Sequence, residues 1–112
     1  MGIIFQQAFV VTKTEQILFT PISFPRLFGG KISLKNLVSG DILRLTQETK
    51  YTGAGPFELE RQKDFTNQTT DKTARITPIR EDDGIQWKVI LDAASPSATV
   101  SIDVVIWEET VT

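Results

Sequence analysis

The stretch Ala98-Thr99-Val100-Ser101-Ile102-Asp103-Val104-Val105-Ile106-Trp107 decides the fold class. Ala98, Val100, Ile102, Val104 and Ile106 recur at every second position, with Thr99, Ser101 and Asp103 between them. Successive side chains of an extended strand point to opposite faces, so this pattern puts one face on a core and the other in water. The preceding run, Ile85-Gln86-Trp87-Lys88-Val89-Ile90-Leu91, repeats it, with Ile85, Trp87, Val89 and Leu91 inward and Gln86 and Lys88 outward. Asp92-Ala93-Ala94-Ser95-Pro96-Ser97 between them is a turn by composition. The two strands are therefore expected to pair as an antiparallel hairpin.

The same period of two, punctuated by turn residues, runs upstream. Lys31-Ile32-Ser33-Leu34-Lys35 alternates, Ser39-Gly40-Asp41 turns the chain, and Ile42 to Gln47 follows with Leu43 and Leu45 inward. Phe57-Glu58-Leu59-Glu60-Arg61 reads as a strand with Phe57 and Leu59 inward, and Thr66 to Lys72 as a polar loop. Ala74 to Ile79 is a strand that Pro78 sends to a sheet edge or terminates, because proline has no N–H for the ladder. At the front, Phe5 to Val11 and Gln16 to Thr20 look extended. The register of the first is open, since Phe5, Phe9 and Val11 compete with Ile4, Ala8 and Val10 for the core. No window shows a helical period. The expectation is one all-β domain over residues 1–112, an antiparallel β-sandwich of about eight strands, jelly-roll-like, with no helix longer than about two turns.

Composition narrows the function classes. The chain has 112 residues, 40% hydrophobic and 23% charged, which suits one folded domain rather than a disordered one. Twelve basic residues are scattered among fourteen acidic ones, for a net charge of -2, so no basic surface for nucleic acid is expected. There is no cysteine and no histidine, which removes the thiol nucleophile and the commonest general base and metal ligand. No apolar run reaches the ~20 residues of a membrane-spanning helix. Met1-Gly2-Ile3-Ile4-Phe5 lacks the basic start of a secretion signal, so none is expected.

Short motifs add little chemistry. Gly53-Ala54-Gly55 is not followed by Lys-Ser/Thr or a helix, and reads as a mobile turn rather than a phosphate loop. Glu81-Asp82-Asp83-Gly84 lacks the ligand spacing of a calcium loop and reads as a solvated turn. Glu58 and Glu60 share an outer strand face, where carboxylates keep an edge soluble. Asn67-Gln68-Thr69 matches a glycosylation sequon that is expected to be idle without a secretion signal. No catalytic, cofactor-binding or metal-binding residue is expected, and no enzymatic activity.

The aromatic residues are more informative. Trp87 falls on the inner phase of its strand and reads as core. Trp107 falls on the outer phase with Val105, where either a bend or loop covers the ring or the two form an exposed apolar patch for a partner. The segment Pro21-Ile22-Ser23-Phe24-Pro25-Arg26-Leu27-Phe28-Gly29-Gly30 reads as irregular, with prolines and glycines framing large apolar side chains. It plugs one end of the sandwich or packs against a neighbouring subunit. The candidate interface is thus Phe24, Leu27, Phe28, Val105 and Trp107.

The order of segments carries a resemblance. Phe9-Val10-Val11-Thr12-Lys13-Thr14-Glu15-Gln16-Ile17-Leu18-Phe19 opens the chain, and Leu37-Val38-Ser39-Gly40-Asp41-Ile42-Leu43-Arg44-Leu45 follows. Gln86 to Leu91, a short Ser/Pro turn and a strand ending Ile106-Trp107-Glu108-Glu109 close it. In this order the chain resembles small β-sandwich proteins encoded among the structural genes of tailed phages and archaeal viruses. The apolar segment 21–30 departs from that pattern. The resemblance implies a virion component, such as a minor capsid, decoration or vertex protein, made in the host cytoplasm. Its partners would be itself, as a homo-oligomer, and other capsid or virion proteins, with no nucleic acid, membrane or cofactor. A carbohydrate-binding or adhesin-like sandwich is the alternative, with Tyr51 and Trp107 as the aromatic candidates for stacking on a sugar.

Overall fold

The computed structural model describes residues 2–19, 26–52, 54–67, 72–81 and 84–110, without the side chains of 2, 4, 5, 19, 26, 27, 77–81, 109 and 110. Eight strands follow one another: β1 (Gly2–Thr12), β2 (Gln16–Phe19), β3 (Arg26–Ser33), β4 (Ile42–Thr49), β5 (Glu58–Thr66), β6 (Thr73–Glu81), β7 (Ile85–Leu91) and β8 (Thr99–Thr110). They form two four-stranded antiparallel sheets, ordered β1-β8-β3-β6 and β2-β7-β4-β5. The fold is an all-β sandwich, as the alternation of polar and apolar residues predicts.

The pairing has a simple logic. β1 pairs with β8, β2 with β7, β3 with β6 and β4 with β5, so the chain is one long antiparallel ribbon. That ribbon is wrapped on itself, and β3–β8 and β4–β7 contacts seal each sheet. This is the jelly-roll arrangement. It overturns the hairpin expected between 85–91 and 98–107, because β7 and β8 lie in different sheets and residues 92–97 cross from one to the other. Alternation tells a strand which face is inward. It does not tell it which neighbour it pairs with. Here the apolar faces of β7 and β8 belong to opposite walls of one core.

The core is built from the residues whose phase is inward. β7 alternates without a fault, with Ile85, Trp87, Val89 and Leu91 fully buried. Facing it, Val100, Ile102, Val104 and Ile106 of β8 are buried, joined by Phe28 and Ile32 of β3, Leu43 and Leu45 of β4, and Ile76 of β6. Each such aliphatic side chain contributes about 1.5–3 kcal/mol by leaving water. In β1 the open register resolves in favour of Phe9 and Val11: Val11 is buried, Phe9 packs on the core, and Val10 and Ala8 face out.

Two further expectations need correction. The segment 21–30 is not irregular throughout, because Arg26 to Gly30 form the start of β3. The glycine pair sits inside a strand for a steric reason. A Cβ on Gly29 would stand 2.9 Å from Nε1 of Trp107 on the outer face. A Cβ on Gly30 would stand 2.6 Å from the carbonyl oxygen of Val105 and 3.4 Å from Cζ3 of Trp87. β3 thus clears room for one indole on each side. Leu59 is also not inward: it is 62% exposed, and of β5 only Phe65 is buried. Phe57 lies before β5, half-buried beneath the ammonium of Lys50 at 4.7 Å. β5 is an edge strand with a register shift opposite Gln47 and Glu48 that sets Leu59 across from Glu48, on the outer face. Pro78 does lie in an edge strand, where the β3–β6 register shifts, and β6 continues past it to Glu81.

Gly30→Ala is expected to destabilise the fold by about 1–3 kcal/mol through overpacking, since the obstructing atom is backbone. Trp87→Ala is expected to cost about 3–5 kcal/mol. Chemical denaturation measures both. Acrylamide should quench Trp107 and leave Trp87 dark to the quencher. The reverse order would show that the two indoles are misassigned.

Candidate interaction surface

The two outer faces of the sandwich differ in chemistry. The β2-β7-β4-β5 face is laced with charge. Lys88 Nζ lies 2.9 Å from Glu48 and 3.5 Å from Glu15, and Gln86 Nε2 donates to Glu48 at 2.7 Å. Arg44 donates through Nε and Nη2 to the two oxygens of Asp64, at 2.9 and 3.2 Å. Burial would raise the Glu48 carboxyl, but the hydrogen bonds from Lys88 and Gln86 and the Lys88 charge outweigh it and hold it low. The hydrogen bond to Glu48 in turn holds the Lys88 ammonium up. Such a hydrated, ion-paired face has little to gain from covering.

The other outer face carries the apolar candidates. Val105 and Trp107 project outward from β8, opposite in phase to the buried Val104 and Ile106, and both are half-buried. The Trp107 indole lies across Gly29 of β3, with the Arg75 guanidinium of β6 5.9 Å from the ring centre. Its neighbour across β1 is Ile3, which is 59% exposed. Farther along the same edge Val10 is 54% exposed. Of the other interface candidates, Phe28 is fully buried between the sheets and presents no surface. Phe24 lies outside the described residues, and of Leu27 only the backbone position in β3 is described. The sequence singles out neither Ile3 nor Val10 for the interface, although the apolar excess and open register of 3–11 suit pairing with another subunit; both share the outward phase of their partners Trp107 and Ser101 on β8.

β1 is distinctive among the four edge strands. Gly2–Thr12 contains no charged residue and no proline. The other edges are guarded in the ways edge strands usually are. β6 carries Arg75, Pro78, Arg80 and Glu81. β5 carries Glu58, Glu60, Arg61, Lys63 and Asp64. β2 has only four residues, with Glu15 just before it paired to Lys88. A long, neutral, β-branched edge is a template for another strand.

Other candidate chemistry is thin. Glu58 and Glu60 are exposed. Among the described residues, no three His, Cys, Asp or Glu side chains cluster as a metal site would need. Asp82, Asp83, Gln68 and Thr69 lie outside the described residues, so the acidic turn and the sequon are not placed. Tyr51, in the β4–β5 connection, is 82% exposed. Comparison with protein-family models, with curated proteins and with solved structures finds no match to this chain.

One buried carboxylate is structural. Asp41 is fully buried and accepts from the Val38 amide at 2.9 Å, the Ser97 amide at 3.0 Å and the Ser97 hydroxyl at 2.7 Å. Burial pushes its carboxyl up, but the Ser97 hydroxyl, the two amides and the charge of Lys13 more than offset it, so the net displacement is downward. A depressed carboxyl stabilises the fold above its unfolded value, and that contribution is lost as pH falls through the folded one. Asp41→Asn is therefore expected to cost about 1–3 kcal/mol at neutral pH. The gap between variant and wild type should begin to narrow as pH falls below about 4 and go on narrowing as the folded carboxyl protonates. Urea melts across pH 3 to 7 measure it, and a gap that does not change with pH would remove the carboxylate from this role.

Proposed function

We propose that this chain is a non-enzymatic structural subunit of a viral particle, a minor capsid, decoration or vertex component that acts by self-association and by docking on a shell. The observation that carries the reading is the unguarded β1 edge, Gly2–Thr12, in a sandwich whose other edges are protected. It is contiguous with the outward side chains of Ile3, Val105 and Trp107 on one face. Extending a sheet from such an edge satisfies backbone groups and covers apolar surface in one step. Two copies meeting edge to edge by a two-fold axis is the simplest closed arrangement. The jelly roll also serves viral shells, which favours the virion setting by fold analogy, and the order of segments resembles phage and archaeal-virus structural proteins. Other virion proteins would be its further partners and the particle its location.

The carbohydrate-binding alternative keeps one supporting observation, the exposed ring of Tyr51. Its other aromatic, Trp107, has one face against Gly29, which leaves less of the ring for stacking on a sugar.

Multi-angle light scattering on the wild type is expected to show a homo-oligomer. Ala8→Lys combined with Val10→Lys places charges on the outward face of the β1 edge and should give a folded, dissociated subunit with an unchanged circular dichroism spectrum. Trp107→Ser is expected to weaken association while costing the subunit far less stability than a change at Trp87. A wild type that stays monomeric at high concentration and does not bind capsids would end the reading.

A further inference from the structure

At the opposite edges from β1 and β2, the sandwich is open between β5 and β6. A recess of about 310 Å³, counted with its open mouth, enters the core there. Leu45, Phe65 and Ile76 give it apolar walls, and Arg61 and Lys63 bring positive charge to it, while Arg75 borders it from β6 with its guanidinium turned to Trp107 on the outer face. Gln47 also lines it. That side chain is 1% exposed, on the inward phase of β4, and its amide nitrogen Nε2 has no hydrogen-bond partner among the described residues. A second, more polar hollow adjoins along the same opening and shares Lys63, Phe65 and Arg75.

Edge protection accounts for part of this. In the β4–β5 register Lys63 stands opposite Leu45 and Arg61 opposite Gln47, so both cations come from inward positions of an edge strand, a usual way to blunt an edge. It does not account for Gln47. An aliphatic residue would fill that place without a buried polar group, and a buried donor left unpaired costs stability. The arrangement makes sense if an acceptor enters from outside. Such a group would meet an N–H at the base, cations at the mouth and apolar walls between. Negative charge suits the cations, and a planar carboxylate suits the guanidinium of Arg61. The limited room admits a short stem and little more.

We infer that the β5–β6 recess is a binding site for a small carboxylate on a short apolar stem, with Gln47 Nε2 donating to the carboxylate, Lys63 and Arg61 supplying charge, and Leu45, Phe65 and Ile76 holding the stem. The site is separate from the β1 edge and stands whether or not the subunit self-associates.

The probe is hexanoate, with hexanol as the uncharged control and inorganic phosphate as the stemless anion. Nitrogen-proton NMR reads the side-chain amide pair of Gln47 directly. Hexanoate is expected to shift that pair saturably, with millimolar affinity or better, and hexanol to bind at least tenfold more weakly. Gln47→Leu removes the donor but keeps the volume; its thermal midpoint should equal or exceed that of the wild type. Hexanoate affinity, followed in the Leu45 and Ile76 methyl signals, should fall at least tenfold in that variant. Lys63→Glu, at an exposed position, should weaken hexanoate and leave hexanol unchanged. The inference is overturned if hexanoate gives no saturable shift, if hexanol or phosphate matches it, or if both variants bind hexanoate as the wild type does.

Discussion

The contact between Trp87 and Gly30 is the constraint around which the sandwich is arranged. Trp87 is fully buried on β7, and its six-membered ring reaches the opposite sheet where β3 has no side chain. The same point of β3 lies against the backbone of Val105, so there is no slack for a methyl group. A large ring set against a bare backbone fixes how the two sheets lie at that end, because packed interiors hold few voids and little compressibility. Gly29, the residue before it, faces the other way and leaves room for Trp107 outside. One dipeptide therefore seats one indole in the core and the other on the surface.

A polar latch serves the other end of the ribbon. The β3–β4 connection turns at Gly40, whose φ of 94° is one that residues with side chains rarely adopt. Asp41 then binds the amide and hydroxyl of Ser97, and Ser95 Oγ accepts from the Ile42 amide. Two sheet-crossing connections that are distant in sequence are thereby tied together. Such a latch is strong because it is charge-assisted and dry. Together with the Trp87 contact it holds the wrapped ribbon closed along its length and leaves the four sheet edges as the places where the molecule can meet something else. β1, neutral and long, faces one way; the charged β5–β6 opening faces the other.

Much of this was legible in the chain before any coordinates. The alternation in 85–91 and 98–107 assigns inward and outward faces that the structure reproduces from Ile85 to Leu91 and from Thr99 to Trp107, including the opposite placements of Trp87 and Trp107; Ala98, expected inward, is exposed because it lies before β8 begins. Pro78 marks an edge strand, and the spacing of turns indicates about eight strands. Less was legible wherever burial depends on a distant partner. Leu59 has the phase of a core residue, but the register shift opposite Gln47 and Glu48 sets it across from Glu48 on the outer face. Phe28 looks like loop surface beside two glycines and is core, because those glycines belong to a strand. Gln47 gives no signal at all, since one polar residue in an apolar alternation reads as noise.

The sequence by itself determined the class of structure, the inward phase of most strands and the lack of histidine and cysteine chemistry, because these follow from side-chain identity and a local period of two. The tertiary structure alone decided which strand lies beside which, that residues 92–97 cross between sheets, that β1 is an edge without charge, and that Gln47, Arg61 and Lys63 converge on one opening. Those are relations between segments tens of residues apart. A strand carries the same alternation whether its neighbour is the next strand in sequence or the one farthest from it, so pairing is settled only when all the inward faces must share a single core.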